Sequence, residues 1–201
     1  MSFEEFASAW SAHHGGAPVT GITRSWLKIS YRIAGLSPHA SLATLMGLIF
    51  GIMSYFFAGD VRGVIYLVLS LIADGLDGSI AIRHENASEF GAVLDSVVDR
   101  IVEFAWALAF IKLGAPAWLV AVAWFAASIQ EYLRARLGGV GIAEIMKVTV
   151  AERPVRASLL FVAMIASLLH LHFIFYIALT WALLQVWSLF SVARGGFARL
   201  H

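Results

Sequence analysis

Four carboxylates stand inside otherwise apolar runs of this chain: Asp74 and Asp77 in LSLIADGLDGSIAIR, Asp95 and Asp99 in FGAVLDSVVDRIVEFAW. Their spacings put each pair on one face of a helix, with Cβ atoms about 5–6 Å apart. A carboxylate at membrane depth costs several kcal/mol unless something neutralises it, so four of them within 26 residues call for a partner. Oxygen ligands converging from two helices are what a hard divalent cation such as Mg²⁺ requires. Two other uses compete: a proton relay in a transporter, or pairing with arginines such as Arg83 and Arg100. The neighbouring glycines tip the reading toward a metal site. Gly75 and Gly78 lie on either side of Asp77, and Gly91 lies one turn before Asp95. A helical glycine costs about 1 kcal/mol relative to alanine. Glycines clustered beside acids therefore mark the close approach of a ligand or a second helix.

The elements that must position these acids are membrane helices. The chain has 201 residues, 60% hydrophobic and 13% charged, with a mean hydropathy of +0.82. That composition is foreign to soluble domains and reads as all-α integral membrane architecture. Windows of roughly 20 mainly apolar residues occur six times, near 41–58, 62–82, 92–113, 116–136, 155–172 and 174–193. Six transmembrane helices are expected, preceded by an N-terminal amphipathic segment over 1–40. The spans occupy 41–193, and a short tail follows over 194–201. In the first segment Phe3, Phe6 and Trp10 recur at helical spacing, and Trp26, Leu27 and Ile33 follow among Arg24, Lys28 and Arg32. Such a helix either lies on a leaflet with its cations toward anionic headgroups or packs on its own bundle.

Glu4, Glu5 and two histidines precede any long apolar run, which is not a cleavable signal pattern. With the N-terminus inside, twelve lysines and arginines fall on the inner side and only Arg62 and Lys112 on the outer. This orientation puts the aspartates near the cytoplasmic face of the cell membrane. A net charge of +1 with no basic stripe excludes a nucleic-acid binder. The absence of cysteine excludes disulfides, zinc–thiolate sites and cysteine nucleophiles.

Asp74-x-x-Asp77-Gly78-x-x-Ala81, then Gly91-x-x-x-Asp95-x-x-x-Asp99, resembles the signature of the CDP-alcohol phosphotransferase (phosphatidyltransferase) family. Seven of its eight fixed positions agree in type and spacing. The eighth, an arginine directly after the alanine, falls at Ile82, with Arg83 one residue later. The resemblance implies transfer of a phosphatidyl-type group from a CDP-lipid, CDP-diacylglycerol foremost, to a small polar alcohol or alcohol phosphate, with release of CMP. It implies two divalent ions, Mg²⁺ or Mn²⁺, on Asp74, Asp77, Asp95 and Asp99. Asp99 would also be the catalytic base, and Asp74, Gly78, Ala81, Arg83 and Gly91 would bind CDP. A homodimer embedded among membrane lipids is implied as well.

Tyr132-x-Arg134-Ala135-Arg136 and Ala151-Glu152-Arg153-Pro154-x-Arg156 resemble segments of the phosphatidylinositol phosphate synthase branch, whose acceptor is inositol phosphate. Arg153 and Arg156, then Lys147 and Arg134, are expected to hold the acceptor phosphate, since converging cations suit such an anion. Positive-inside topology alone also predicts cations there. Two alternatives stay open: the same chemistry on glycerol 3-phosphate, and a divalent-cation transporter built on the four aspartates. No function is assigned to the stretch from Pro38 to Thr44, whose spacing departs from the family pattern.

Overall fold

The computed structural model describes residues 1–142 and 149–200, and among these it contains helices and no strand. Two short helices come first, α1 (Phe3–His13) and α2 (Gly21–Ala34). Six longer ones follow: α3 (Ala40–Phe56), α4 (Val61–Arg83), α5 (Glu89–Lys112), α6 (Ala117–Gly139), α7 (Arg153–Leu168) and α8 (Ile174–Phe197). The all-α expectation is met, and α3 to α8 fall on the six apolar windows. By length and composition, two of them, α4 and α8, are long and apolar enough to cross a membrane. Three of the others miss for identifiable reasons. α5 carries Asp95, Asp99, Arg100 and Glu103 in its middle, while α3 and α7 have 17 and 16 residues.

Helix boundaries follow local chemistry. Ser2 and Glu5 form a reciprocal capping box that opens α1. The Ser88 hydroxyl accepts the Gly91 N–H at 3.0 Å, as an N-cap side chain does for the start of α5. Pro154 in the first turn of α7 forfeits an N–H that would have no partner there. The turn between α3 and α4 uses Gly59 at φ 93°, a conformation costly for any residue with a Cβ.

The chain forms two compact units. The first comprises Met1–Gly51 and Val68–Val102, and so holds all four aspartates of the motif. Within it α3 comes close to its neighbours through two glycines one turn apart. Gly47 accepts the Ser70 hydroxyl at 2.8 Å. A Cβ on Gly51 would stand 2.7 Å from Val102, so only glycine fits without movement there. A second cluster joins Ala34, Ala43 and Ile80, with Leu76 against it. This packing fixes α4 and α5, the helices that carry the acids.

The second unit comprises Ile52–Leu67 and Glu103–His201. There α6 packs along α8, with Phe110 stacked on Trp181 at 5.1 Å between ring centroids. Its interior is unusually polar for a set of apolar helices. Gln130 and Gln185 are fully buried, and the Gln185 amide donates to the Gln130 carbonyl oxygen at 2.9 Å. The Ser188 hydroxyl accepts the Ala151 N–H at 3.1 Å. Such pairings satisfy polar groups that water does not reach.

Candidate active site

Asp74 comes from α4, and Asp95 and Asp99 lie one turn apart on α5. One carboxylate oxygen from each falls within 4.8 Å of the other two. All three side chains are half-buried. Three like charges held this close repel one another, increasingly so as water is excluded. A divalent cation between them reverses the sign of that interaction. The donors are carboxylate oxygens throughout, the class that Mg²⁺ and Mn²⁺ accept. The residues present therefore fit a divalent metal.

Asp77 is handled differently. Its Oδ2 accepts the Thr44 hydroxyl at 2.8 Å, and its Oδ1 accepts the Gly78 N–H at 2.6 Å. It stands outside the converging group of three, although a carboxylate has about four lone-pair sites and keeps capacity for a further ligand. The sequence assigns Thr44 no role. The only sign of it was a threonine just inside α3, six residues after Pro38, and nothing in that spacing names Asp77 as its partner.

The glycines of the motif divide by what surrounds them. Among the described residues, a Cβ on Gly78 would meet nothing within 4 Å, leaving open space beside Asp77. A Cβ on Gly91 would meet only the Ser88 hydroxyl at 3.1 Å. Gly75 is the opposite case, since its Cβ would press on Trp26 of α2 at 3.0 Å. Room for a ligand therefore lies at Gly78, and helix contact at Gly75. Ala81 and Arg83 are half-buried on the same helix. The Arg83 guanidinium donates to the Tyr31 carbonyl and sits 3.9 Å from the centroid of the Tyr31 ring. Ile82 packs against the cluster of Phe6, Ala7 and Leu27.

Of the cations expected to bind the acceptor, the described ones, Arg134, Arg153 and Arg156, lie in the second unit, and each has a protein partner. Arg156 is 3% exposed and reaches Glu103 and Glu131, each at 3.2 Å. Arg134 reaches Glu152 at 2.6 Å and Glu131 at 3.4 Å. Glu152 also accepts the Thr149 N–H and hydroxyl, both at 2.6 Å. Burial pushes the Glu152 carboxyl upward, but the hydrogen bonds from Arg134 and Thr149 outweigh it and hold the group at about 2. Arg153 lies 5.4 Å from the centroid of the Trp106 ring, within range of a cation–π attraction. Lys147 lies outside the described residues. The acidic partners Glu103, Glu131 and Glu152 were not singled out from the sequence.

The comparisons with known proteins agree with the motif. A family model described as CDP-alcohol phosphatidyltransferase matches residues 38–190. That is well over half of the chain, and the chain belongs to this family of transferases. Among curated relatives, the bifunctional IPC transferase and DIPP synthase of Aquifex aeolicus is 38% identical over 77 residues, covering 38% of this chain and 18% of that protein. An uncharacterized protein of the same organism is 42% identical over 82 residues, 39% of each chain. The match thus spans well under two thirds of either Aquifex protein. The archaetidylinositol phosphate synthase of Pyrococcus horikoshii is 26% identical over 145 residues, covering 68% of this chain and 74% of that one.

Among solved structures, a phosphatidylinositol phosphate synthase of Mycobacterium tuberculosis with CDP-DAG bound shares the fold. The TM-score is 0.64 at 22% identity, over 83% of this chain and 91% of that one. Family membership and the apolar helices α4 and α8 mark the chain as a membrane protein.

Proposed function

We propose that this protein transfers a phosphatidyl-type group from CDP-diacylglycerol to the hydroxyl of a small phosphorylated alcohol, inositol phosphate foremost, and releases CMP. The observation that carries the reading is the convergence of Asp74, Asp95 and Asp99 beside the open space at Gly78. Support for the donor and acceptor comes from the relatives, one solved with CDP-DAG bound and two named for inositol phosphate products.

Asp74, Asp95 and Asp99, joined by Asp77, are assigned to two divalent ions, Mg²⁺ or Mn²⁺. When bound, these ions supply charge neutralisation for the donor's pyrophosphate and so assist departure of CMP. Asp99 takes the proton from the acceptor hydroxyl as its oxygen bonds to the phosphorus bearing the lipid alcohol. The bond from that phosphorus to the CMP oxygen breaks in the same transfer. Gly78, Ala81 and Gly91 are assigned to the cytidine end of the donor, with Asp74 and, by motif register, Arg83. For the acceptor phosphate, Arg153 at the start of α7 is the member of the basic set we favour, on the resemblance of its segment, with Lys147 added on sequence grounds.

The proposed setting is the cytoplasmic membrane. Residues 41–193 cross it six times as α3 to α8, with the N-terminus and the aspartates on the cytoplasmic side, and the enzyme is a homodimer. Residues 1–40 lie at the inner surface. Family membership favours this transferase reading over cation transport on the same acids.

The test is CMP release by the purified protein from labelled CDP-diacylglycerol with Mg²⁺ or Mn²⁺, offering inositol phosphate and glycerol 3-phosphate separately. Turnover with inositol phosphate supports the reading. Turnover with glycerol 3-phosphate alone replaces the acceptor, and no CMP release with either sinks the activity.

A further inference from the structure

The helix that carries Asp74 and Asp77 has two neighbouring stripes. Asp74 and Ala81, seven residues apart, share one stripe; Gly75 and Ile82, also seven apart, share the next, about 100° around the axis. The second stripe is covered. Trp26 of α2 lies against Gly75, closely enough that a Cβ there would be 3.0 Å from its Cζ2 atom. Ile82 packs with Trp26 and Tyr31 against Phe6 and Leu27, both fully buried. Beyond them Arg83 is held by the Tyr31 carbonyl and ring. His84 and Asn86 carry the seam onward. His84 Nε2 pairs with the Ala34 carbonyl, and the Asn86 amide donates to the Pro38 carbonyl, each at 2.7 Å.

The covering piece is itself braced. α1 and α2 are joined by Arg24 to Glu4 at 2.6 Å and by the Tyr31 hydroxyl donating to the Met1 carbonyl at 2.7 Å. The Phe6 and Tyr31 rings lie 5.3 Å apart between centroids. The α1–α2 pair is therefore a preassembled hairpin laid along the end of α4. A helix gripped along one stripe cannot rotate without moving the adjacent stripe. Here the adjacent stripe holds a carboxylate of the converging group.

We propose that the α1–α2 hairpin is a positioning device for the donor site, with Trp26 and Tyr31 as positioning residues. They act through Gly75, Ile82 and Arg83 on the rotational setting of α4, and so on where Asp74 and the Arg83 guanidinium stand. This deepens the proposed transferase reading and rests on it. Misplacement of the donor's end of the site raises the KM for the CDP-lipid, whereas Arg153, assigned to the acceptor, belongs to α7.

The test uses the full chain in detergent with CDP-diacylglycerol and inositol phosphate. Trp26→Ala is expected to raise the donor KM about tenfold while the acceptor KM stays within about twofold. Gly75→Ala, which pushes a methyl group onto Trp26, is expected to act the same way. Its effect should be largely relieved in a Trp26→Phe background, where the smaller ring yields the space. Donor and acceptor KM rising together, or no relief in the double variant, would overturn the proposal. Hydrogen exchange reads docking without turnover. Trp26→Ala should speed exchange both in α2 and along the end of α4; faster exchange in α2 alone also overturns it. If the wild-type chain releases no CMP, the transferase reading fails, and the exchange result alone decides whether the hairpin sets α4.

Discussion

The two units bury acids by opposite means. In the first, Asp74, Asp95 and Asp99 converge on one another, oxygen to oxygen, within 4.8 Å. In the second, Glu103, Glu131 and Glu152 each meet an arginine: Glu103 and Glu131 meet Arg156 at 3.2 Å, and Glu152 meets Arg134 at 2.6 Å. Carboxylates gathered at one point offer a cation several oxygen ligands at once, so the first arrangement suits a ligand. Opposite charges interleaved between helices satisfy one another, so the second favours a particular helix arrangement. The contrast explains why the motif's acids, rather than the more deeply buried Glu103, are the candidate chemical groups.

Four substitutions break or sharpen that contrast. The largest effect is expected at Asp99. Asp99→Asn should lower CMP release by about 10²–10⁴-fold while metal-dependent binding of the CDP-lipid survives; near-normal turnover would remove Asp99 as the base. Breaking the Arg156 pair comes next, and its effect falls on stability. Arg156→Ala strands a side chain as buried as Glu103 and should cost about 3–5 kcal/mol, read as a lowered Tm in detergent. The paired change Arg156→Met with Glu103→Leu should recover much of that loss, since it removes both charges. If the single variant instead kept its Tm and raised only the acceptor KM, Arg156 would belong with the acceptor site.

Thr44→Val removes the hydroxyl bonded to Asp77 with little change in shape. It should weaken the metal dependence of turnover about tenfold, as loss of a partner behind a metal ligand does; an unchanged metal titration would make the Thr44 bond purely structural. The smallest effect concerns Glu152. Its pKa is depressed from 4.5 to about 2, so its pairing contributes stability fully above 4.5. That contribution fades as pH falls from there toward about 2. Glu152→Gln should flatten the decline of Tm across this window, and an unchanged slope would show that other carboxylates set it.

Much of this was legible from the chain because it depends on near neighbours. The helical spacing of Asp95 and Asp99 already places them on one face, and the glycine spacing already marks a family. The glycine cluster marks the close approach of a ligand or a second helix, and which of the two each glycine admits depends on the opposite surface. Trp26 fills the space at Gly75, while among the described residues nothing beyond the helix itself comes within 4 Å of a Cβ at Gly78. The basic set around Arg134 to Arg156 was readable as cations, yet apart from Glu131 beside Arg134 the acids that hold them come from other segments. The six apolar windows were visible as helices. Their number as membrane crossings depends on charges in α5 and on lengths in α3 and α7 that hydropathy alone does not weigh.

What the sequence by itself determined is therefore the inventory: all-α elements, four aspartates in two face-sharing pairs, and the register of the transferase motif. Each follows from residue types and a local helical period. The tertiary structure alone decided the pairings. Thr44 meets Asp77 across 33 residues, Arg83 meets Tyr31 across 52 and Arg156 meets Glu103 across 53. Over such separations a side chain's partner is set by how whole helices rotate and pack, which no local spacing encodes. That is why three aspartates gather at one point while the fourth turns to a threonine.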